Sequence, residues 1–217
     1  MDKKFYHLIV LIKKTFINEN SLLFNMIISL DQMLEFMPDL KPRKRDIQKT
    51  LDALDLQHGQ RYLSVGIGKN RFPLLVALHG LEVTGFDIDQ DSVVYQTNLS
   101  KCFAAHLQKV GGGLKVERLD IDATPLYDIP KEFDIIECVN FSHKYDEREI
   151  AQTLLALGNQ QSTYLVSLFG NSLKENDKLA KSLKNEAQNL SKKVEINGNF
   201  FTSDIYPYCE GVLLKIY

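Results

Sequence analysis

What the 217-residue sequence has little of narrows its chemistry before any motif is considered. It has three cysteines, Cys102, Cys138 and Cys209, scattered and odd in number. None sits in a C-x-x-C or Cys/His spacing, so neither a disulfide framework nor a zinc site is expected, and no metal site of another kind. Buried thiols in a reducing compartment are the simpler reading. Charge of one sign is also lacking: 26 Lys and Arg against 28 Asp and Glu give a net charge of -2. That balance gives no reason to expect nucleic acid or an anionic membrane as a partner. Long apolar runs are missing too. The run Phe5 to Ile12 falls far short of the ~20 residues a membrane span requires. It follows a basic start but runs into Lys13-Lys14 with no small-residue cleavage site, unlike a signal peptide. A cytoplasmic protein is expected. No G-x-x-x-x-G-K-[ST] run, internal repeat or low-complexity tract occurs.

What is present is ordinary globular material, 44% hydrophobic and 25% charged, enough for one large domain with a full core. Residues 1–58 read as helices. Ser21 is a candidate N-cap, with Leu23, Ile27, Leu30, Leu34 and Met37 at helical spacing up to Pro38. Asp39-Leu40-Lys41-Pro42 is a break, and a further helix covers about Arg43 to Leu56 with Ile47, Leu51 and Leu54 on one face. His58-Gly59 closes it. The expected organisation is an N-terminal helical cap, 1–58, and an α/β domain, 59–217.

From residue 60 strand-like and helix-like segments alternate. Strands are expected at 61–65, 82–86, 114–119, 133–139, 164–169, 194–201 and 211–217. Helices are expected at 73–79, 92–110, 147–157 and 172–190. This alternation predicts a doubly wound, mostly parallel sheet with helices on both faces. The last two strands have no helix between them and should pair antiparallel.

In such a sheet ligands bind beyond the carboxyl ends of the strands, where strand order reverses. The first strand ends in YLSVGIGKN. Gly66 and Gly68 allow a ligand close to the backbone, and the helix that follows would aim free N–H groups at it. A G-x-G pair is weak alone; its place between strand and helix, with Asp87 about twenty residues on, strengthens it. A carboxylate at the end of the second strand can accept from both hydroxyls of a ribose. A dinucleotide fingerprint would want glycine at position 71, where Arg71 stands, which disfavours a nicotinamide-dependent oxidoreductase. The expected ligand has a ribose but no phosphate.

HGQRYLSVGIGKNRF followed by LEVTGFDID resembles the class I, Rossmann-like S-adenosylmethionine-dependent methyltransferases. Further on, LDIDATPLYDIPKEFDIIECVNFSHKYD is similar to their later motifs, so the resemblance covers roughly residues 45–170. It implies a seven-stranded sheet with an antiparallel C-terminal strand, S-adenosylmethionine as cofactor, and a small-molecule acceptor. It also implies site residues. Gly66, Ile67 and Gly68 would line the amino-acid moiety, Asp87 would hold the ribose hydroxyls, and Ile88 would pack on the adenine. Asp122 would accept from the adenine amino group, Ala123 would give a backbone contact, and Asn140 would lie near the sulfonium. Ser64 stands where the family has an acid that helps orient the methionyl end. Asn70 stands at the third glycine, and asparagine tolerates the positive φ such a position needs. Ser64 motivates an alternative: a methyltransferase-fold module that binds adenosine-type ligands without turnover.

The loop Asn140-Phe141-Ser142-His143-Lys144-Tyr145 should face the transferred methyl. His143 is the candidate base, its ordinary pKa being near neutrality, with Tyr145 beside it. The run Asp87 to Asp91 mimics a calcium loop but lacks its glycine and glutamate, so Asp91 or Ser92 as a helix N-cap is expected instead. Arg43-Lys44-Arg45 reads as a solvated helix start. Phe16, Phe24 and Phe36, and the turn Tyr206-Pro207-Tyr208, are candidate acceptor surfaces.

Overall fold

The computed structural model describes residues 29–121, 124, 128–141, 146–168, 173–201 and 210–217. Before the sheet come α1 (Leu30–Glu35), a 3-10 helix (Pro38–Arg43) and α2 (Lys44–Leu54). There follow β1 (Arg61–Val65), α3 (Phe72–Ala77), β2 (Glu82–Asp87), α4 (Gln90–Cys102), α5 (Ala104–Val110) and β3 (Gly113–Arg118). The second half holds β4 (Phe133–Phe141), α6 (Glu147–Leu157), β5 (Gly158–Leu168), α7 (Leu173–Asn189), β6 (Val194–Phe201) and β7 (Glu210–Ile216).

The seven strands form one sheet in the order β3-β2-β1-β4-β5-β7-β6. Strands β1 to β5 pair in parallel, and β7 runs antiparallel to both β5 and β6. This is the expected α/β architecture. Each buried side of the sheet has its own core. One gathers Tyr62, Ile67 and Ile135 with side chains from α1 to α5; the other gathers Leu63, Val65 and Ile136 with side chains from α6 and α7.

The helices before β1 belong to the first of these cores. Met33, Leu34, Met37, Leu40 and Ile47 are at most 2% exposed and join the cluster that holds Tyr62 and Phe72. Each such burial contributes about 1.5–3 kcal/mol. Ser29 starts α1 through a capping box with Gln32, the hydroxyl accepting from Gln32 N–H and Gln32 Oε1 from Ser29 N–H; the expected cap at Ser21 lies outside the described residues. The break at 39–42 is the 3-10 helix, and α2 ends on Asp55, which takes the left-handed φ of 52°. In the basic cluster, Lys44 Nζ donates to Asp31 Oδ2 at 2.7 Å. Arg43 lies 3.9 Å from Asp46, in keeping with a solvated helix start.

Two expected elements differ. The helix expected over 92–110 is two helices, α4 and α5, separated at Phe103. Phe103 is 1% exposed and meets Phe36 edge-on at 5.9 Å between ring centroids. Burying that ring redirects a segment whose local preference is one continuous helix. Phe36, half-buried, packs one ring edge on this core. Strand β5 begins at Gly158 rather than Tyr164, through an irregular register opposite Phe133 and Ile135. The Ser162 hydroxyl bridges that irregularity by donating to Phe133 O at 2.9 Å. Cys138 is buried and Cys102 half-buried, neither in a disulfide.

Candidate functional site

Strand β1 lies between β2 and β4. The chain leaves it first toward β2 and later returns on its other side as β4, so the carboxyl end of β1 is the switch point of the sheet. The turn that follows is pinned there: Gly66 N–H and Ile67 N–H both donate to Phe86 O, at 2.9 and 3.0 Å. Gly66 and Gly68 have φ of 67° and 52°, the left-handed region that costs L-residues but not glycine. Helix α3 is six residues long, all buried. The turn itself, rather than a helix end, presents the main chain here.

Asp87 closes onto this turn from the end of β2. Its Oδ2 accepts from Gly68 N–H at 2.7 Å, and its Oδ1 accepts from Asp89 N–H at 2.8 Å. A carboxylate offers about four acceptor positions, so the two main-chain bonds leave capacity for further donors. The half-buried setting of Asp87 keeps that capacity in reach. Next to it Ile88 is 59% exposed, a large apolar side chain beside the carboxylate. Asp89 is the N-cap of α4, accepting from Asp91 N–H and Ser92 N–H, where Asp91 or Ser92 was expected. The short hydrogen bond from the Ser92 hydroxyl, first among several causes, holds the Asp89 carboxyl below its ordinary value.

The other residues expected at the turn point inward. Ser64 is 2% exposed and lies in register between Gly85 of β2 and Glu137 of β4. Ile67 is 1% exposed, so only its main chain is available to a ligand. Its side chain fills the space over Gly85, where an added Cβ would lie 2.5 Å from Ile67 Cδ1. Asn70 corrects the sequence expectation: among the described residues the non-glycine positive φ values belong to Asp55, Glu132 and Ser191. Asn70 serves through its side chain instead. Its Nδ2 donates to Glu137 Oε1 at 3.1 Å and its Oδ1 accepts from Phe72 N–H at 3.1 Å.

Three residues that the motif reading missed complete the floor of the turn. Gln96 of α4 is fully buried, and its Nε2 donates to Asn70 O at 2.6 Å and Gly68 O at 3.0 Å. Glu137 is 0% exposed in the middle of β4. Tyr62 is equally buried, and its phenol is held well above its ordinary value, first by burial and then by the Glu137 carboxylate beside it. Glu137 was visible as a charge between Ile136 and Cys138 in the strand FDIIECVNF; Gln96 gave no such signal in a mixed helix. Arg71, 12% exposed, makes two bonds to Asp39 at 3.0 and 2.6 Å and ties the 3-10 helix to the residue after the turn.

Asn140 lies in the last part of β4, beside a register irregularity between Val139 and Phe141. Asp122, Ala123, His143 and Tyr145 lie outside the described residues, as do Phe16, Phe24 and the turn at Tyr206-Pro207-Tyr208. Among the described residues no group of three His, Cys, Asp or Glu side chains is placed to hold a metal, and no helix is long and apolar enough to cross a membrane.

No protein-family model matches the chain, and no curated protein matches it. Solved structures do. A TehB-like SAM-dependent methyltransferase from Corynebacterium glutamicum superposes with a TM-score of 0.52 at 12% identity, covering 86% of this chain and 96% of that one. The magnesium protoporphyrin IX methyltransferase of Synechocystis, solved with bound SAM, gives 0.54 at 12% identity over 96% of both chains. A SAM-dependent methyltransferase from Methanosarcina mazei gives 0.55 at 14% identity, covering 74% of this chain and 93% of that one. The chain thus has the class I, Rossmann-like methyltransferase fold. At these identities the likeness speaks for the fold; the chemistry has to be argued from the site.

Proposed function

We propose that this protein is an S-adenosylmethionine-dependent methyltransferase acting on a small-molecule acceptor. The observation that carries the reading is the contact of Gly68 with Asp87 at the switch point of the sheet. It sets a glycine turn and a carboxylate with spare acceptor capacity side by side, with the exposed Ile88 adjoining. A nucleoside fits this arrangement, its ribose hydroxyls donating to Asp87 and its base covering Ile88. Likeness of fold to methyltransferases, one of them solved with bound SAM, supports the same cofactor here.

When bound, S-adenosylmethionine supplies a methyl group on a positive sulfur, a good leaving group. The chain's residues then have to hold and align. Gly66, Ile67 and Gly68 offer main chain to the amino-acid end, and Ser64 supports the turn from beneath. Asp122 accepts from the adenine amino group and Ala123 gives a backbone contact. Asn140, at the end of β4, stands toward the sulfur. His143 removes a proton from acceptors that must lose one, and Tyr145 stands beside the acceptor. The segment 1–58 covers the acceptor, with Phe16, Phe24 and Phe36 as its contact residues and the turn Tyr206-Pro207-Tyr208 as a second surface.

A second reading, a binding module without turnover, is favoured by one observation: Ser64 is buried and uncharged. Calorimetric titration with S-adenosylhomocysteine tests the cofactor site. Transfer of labelled methyl from S-adenosylmethionine into small molecules of a cell extract separates the readings. Label in a small molecule supports the enzyme; binding with no transfer supports the module.

A further inference from the structure

The described residues include seven polar or charged side chains that are buried, and four of them, Ser64, Asn70, Gln96 and Glu137, lie at the turn after β1. Such burial is costly unless each group is hydrogen-bonded, and most costly for a carboxylate. Its concentration at one turn calls for a reason. Glu137 sits between apolar strand neighbours Ile135, Ile136 and Cys138, each at most 1% exposed. From there its Oε1 accepts from Asn70 Nδ2; Asn70 O accepts from Gln96 Nε2, and the same Nε2 reaches Gly68 O. Gly68 N–H in turn donates to Asp87. A continuous polar chain runs from the centre of the sheet to the carboxylate at the turn's rim.

The register explains why the acid sits on β4. Ser64 and Glu137 are paired residues on adjacent parallel strands, about 4.8 Å apart and projecting to the same face. An acid at position 64 would place two buried carboxyl groups side by side, and like-charge repulsion disfavours both being ionised. The short Ser64 hydroxyl leaves the space to Glu137.

We propose that Glu137 is the positioning residue of this site: one buried acid, carried by β4 in place of β1, that fixes the Gly66–Asn70 turn through Asn70 and sets a negative charge beneath a cationic ligand. Glu137 is fully buried and makes no contact with ligand; it acts through Asn70 and through its charge. The inference rests on S-adenosylmethionine being that ligand.

The test compares wild type, Glu137→Gln, Ser64→Asp and the double variant Ser64→Asp/Glu137→Gln as full chains. Calorimetry is run with S-adenosylmethionine and with the uncharged-sulfur S-adenosylhomocysteine, alongside melting temperatures and the NMR amide shifts of Gly66 and Gly68. Glu137→Gln is expected to lose about tenfold in affinity for the sulfonium ligand and less for the thioether, and to move both glycine amides. Ser64→Asp alone is expected to lower the melting temperature. The double variant should recover both that loss and the sulfonium affinity, since the single acid has only changed strands. Should Glu137→Gln not fold, Glu137→Asp carries the test: it keeps the charge, withdraws it from Asn70 by one methylene, and should still move both amides. Equal affinity for both ligands in Glu137→Gln and wild type, with unmoved amides, overturns the proposal, whatever happens to the melting temperature. So does a double variant that recovers nothing. Wild type binding neither ligand overturns the methyltransferase reading instead; the two glycine amides in Glu137→Gln then decide the positioning role alone.

Discussion

Gly68 and Asp87 are held together by a 2.7 Å hydrogen bond from the glycine N–H to carboxylate Oδ2, joining the turn after β1 to the end of β2. A glycine in the left-handed region and a carboxylate on the neighbouring strand meet because β1 and β2 are parallel and in register up to Val65 and Phe86. The bond gives the turn its shape and Asp87 its orientation.

Asp87→Ala is accordingly expected to weaken S-adenosylhomocysteine binding by about 1–3 kcal/mol, the scale of hydrogen bonds lost to a partly buried partner. Asp89→Ala is the control, since the Asp89 carboxylate caps α4 and it is Asp87 that accepts from Gly68 N–H. It should lower the melting temperature and leave affinity within a few-fold. Calorimetry on the pair checks the assignment; equal losses of affinity would mean the carboxylate at 87 has no special part in binding.

Gly85 should be as sensitive as the turn itself. A valine there would drive into Ile67, whose side chain already occupies the position of an added Cβ. Overpacking of this kind costs about 1–3 kcal/mol, and because Ile67 belongs to the turn, affinity should fall together with stability. Denaturant unfolding and titration on Gly85→Val measure both. A variant that loses stability alone would separate the packing of Ile67 from the ligand-facing main chain.

Residues 30–54 are expected to unfold with the sheet. Leu34 is 1% exposed in the core that also contains Tyr62 and Phe72, so Leu34→Ala should destabilise the whole chain by about 2–5 kcal/mol. One cooperative transition, followed by both tyrosine fluorescence and far-ultraviolet circular dichroism, is the expected result. A separate early transition would show these helices to be an independent unit.

Much of this could be read from sequence, for identifiable reasons. Strands β1 and β2 and helix α6 announced themselves by apolar runs bounded by glycine or by capping acids, and their bounds fall within a residue of expectation. The glycine turn and Asp87 were legible because their spacing is set by one strand, one helix and one strand. What escaped was set by tertiary contact. Phe103 divides a helix because its ring is needed in the core. Asn70 looked like a backbone substitute for glycine, whereas its side chain joins Glu137 to Phe72 N–H across 67 residues of sequence. No local pattern reports such a bond. Gln96, on a helix of weak polarity contrast, was invisible for the same reason.

Stability should fall in alkali. Burial pushes the Tyr164 phenol up to about 12, with the Ser162 hydroxyl offsetting part of the rise. Tyr62 is raised well above its ordinary value, by burial and then by Glu137. A phenol whose folded pKa exceeds its unfolded value of 10.0 contributes stability that is complete below pH 10.0 and lost as pH rises toward the folded value. From pH 10.0 toward about 12 stability should therefore fall with rising pH, because the unfolded chain gives up these phenolic protons before the folded one does. Urea unfolding across this range, with tyrosinate absorbance as the second probe, checks the sign. Tyrosinate from all the tyrosines appearing before any loss of structure would contradict it.

On the proposed function, the turn closed by Gly68 and Asp87 receives an adenosine-type ligand with a sulfur-bearing tail. Isothermal titration of the wild-type chain with S-adenosylhomocysteine tests it most directly. Saturable one-to-one binding that Asp87→Ala weakens is the expected result; no heat and no thermal shift at millimolar ligand would overturn the assignment of this site.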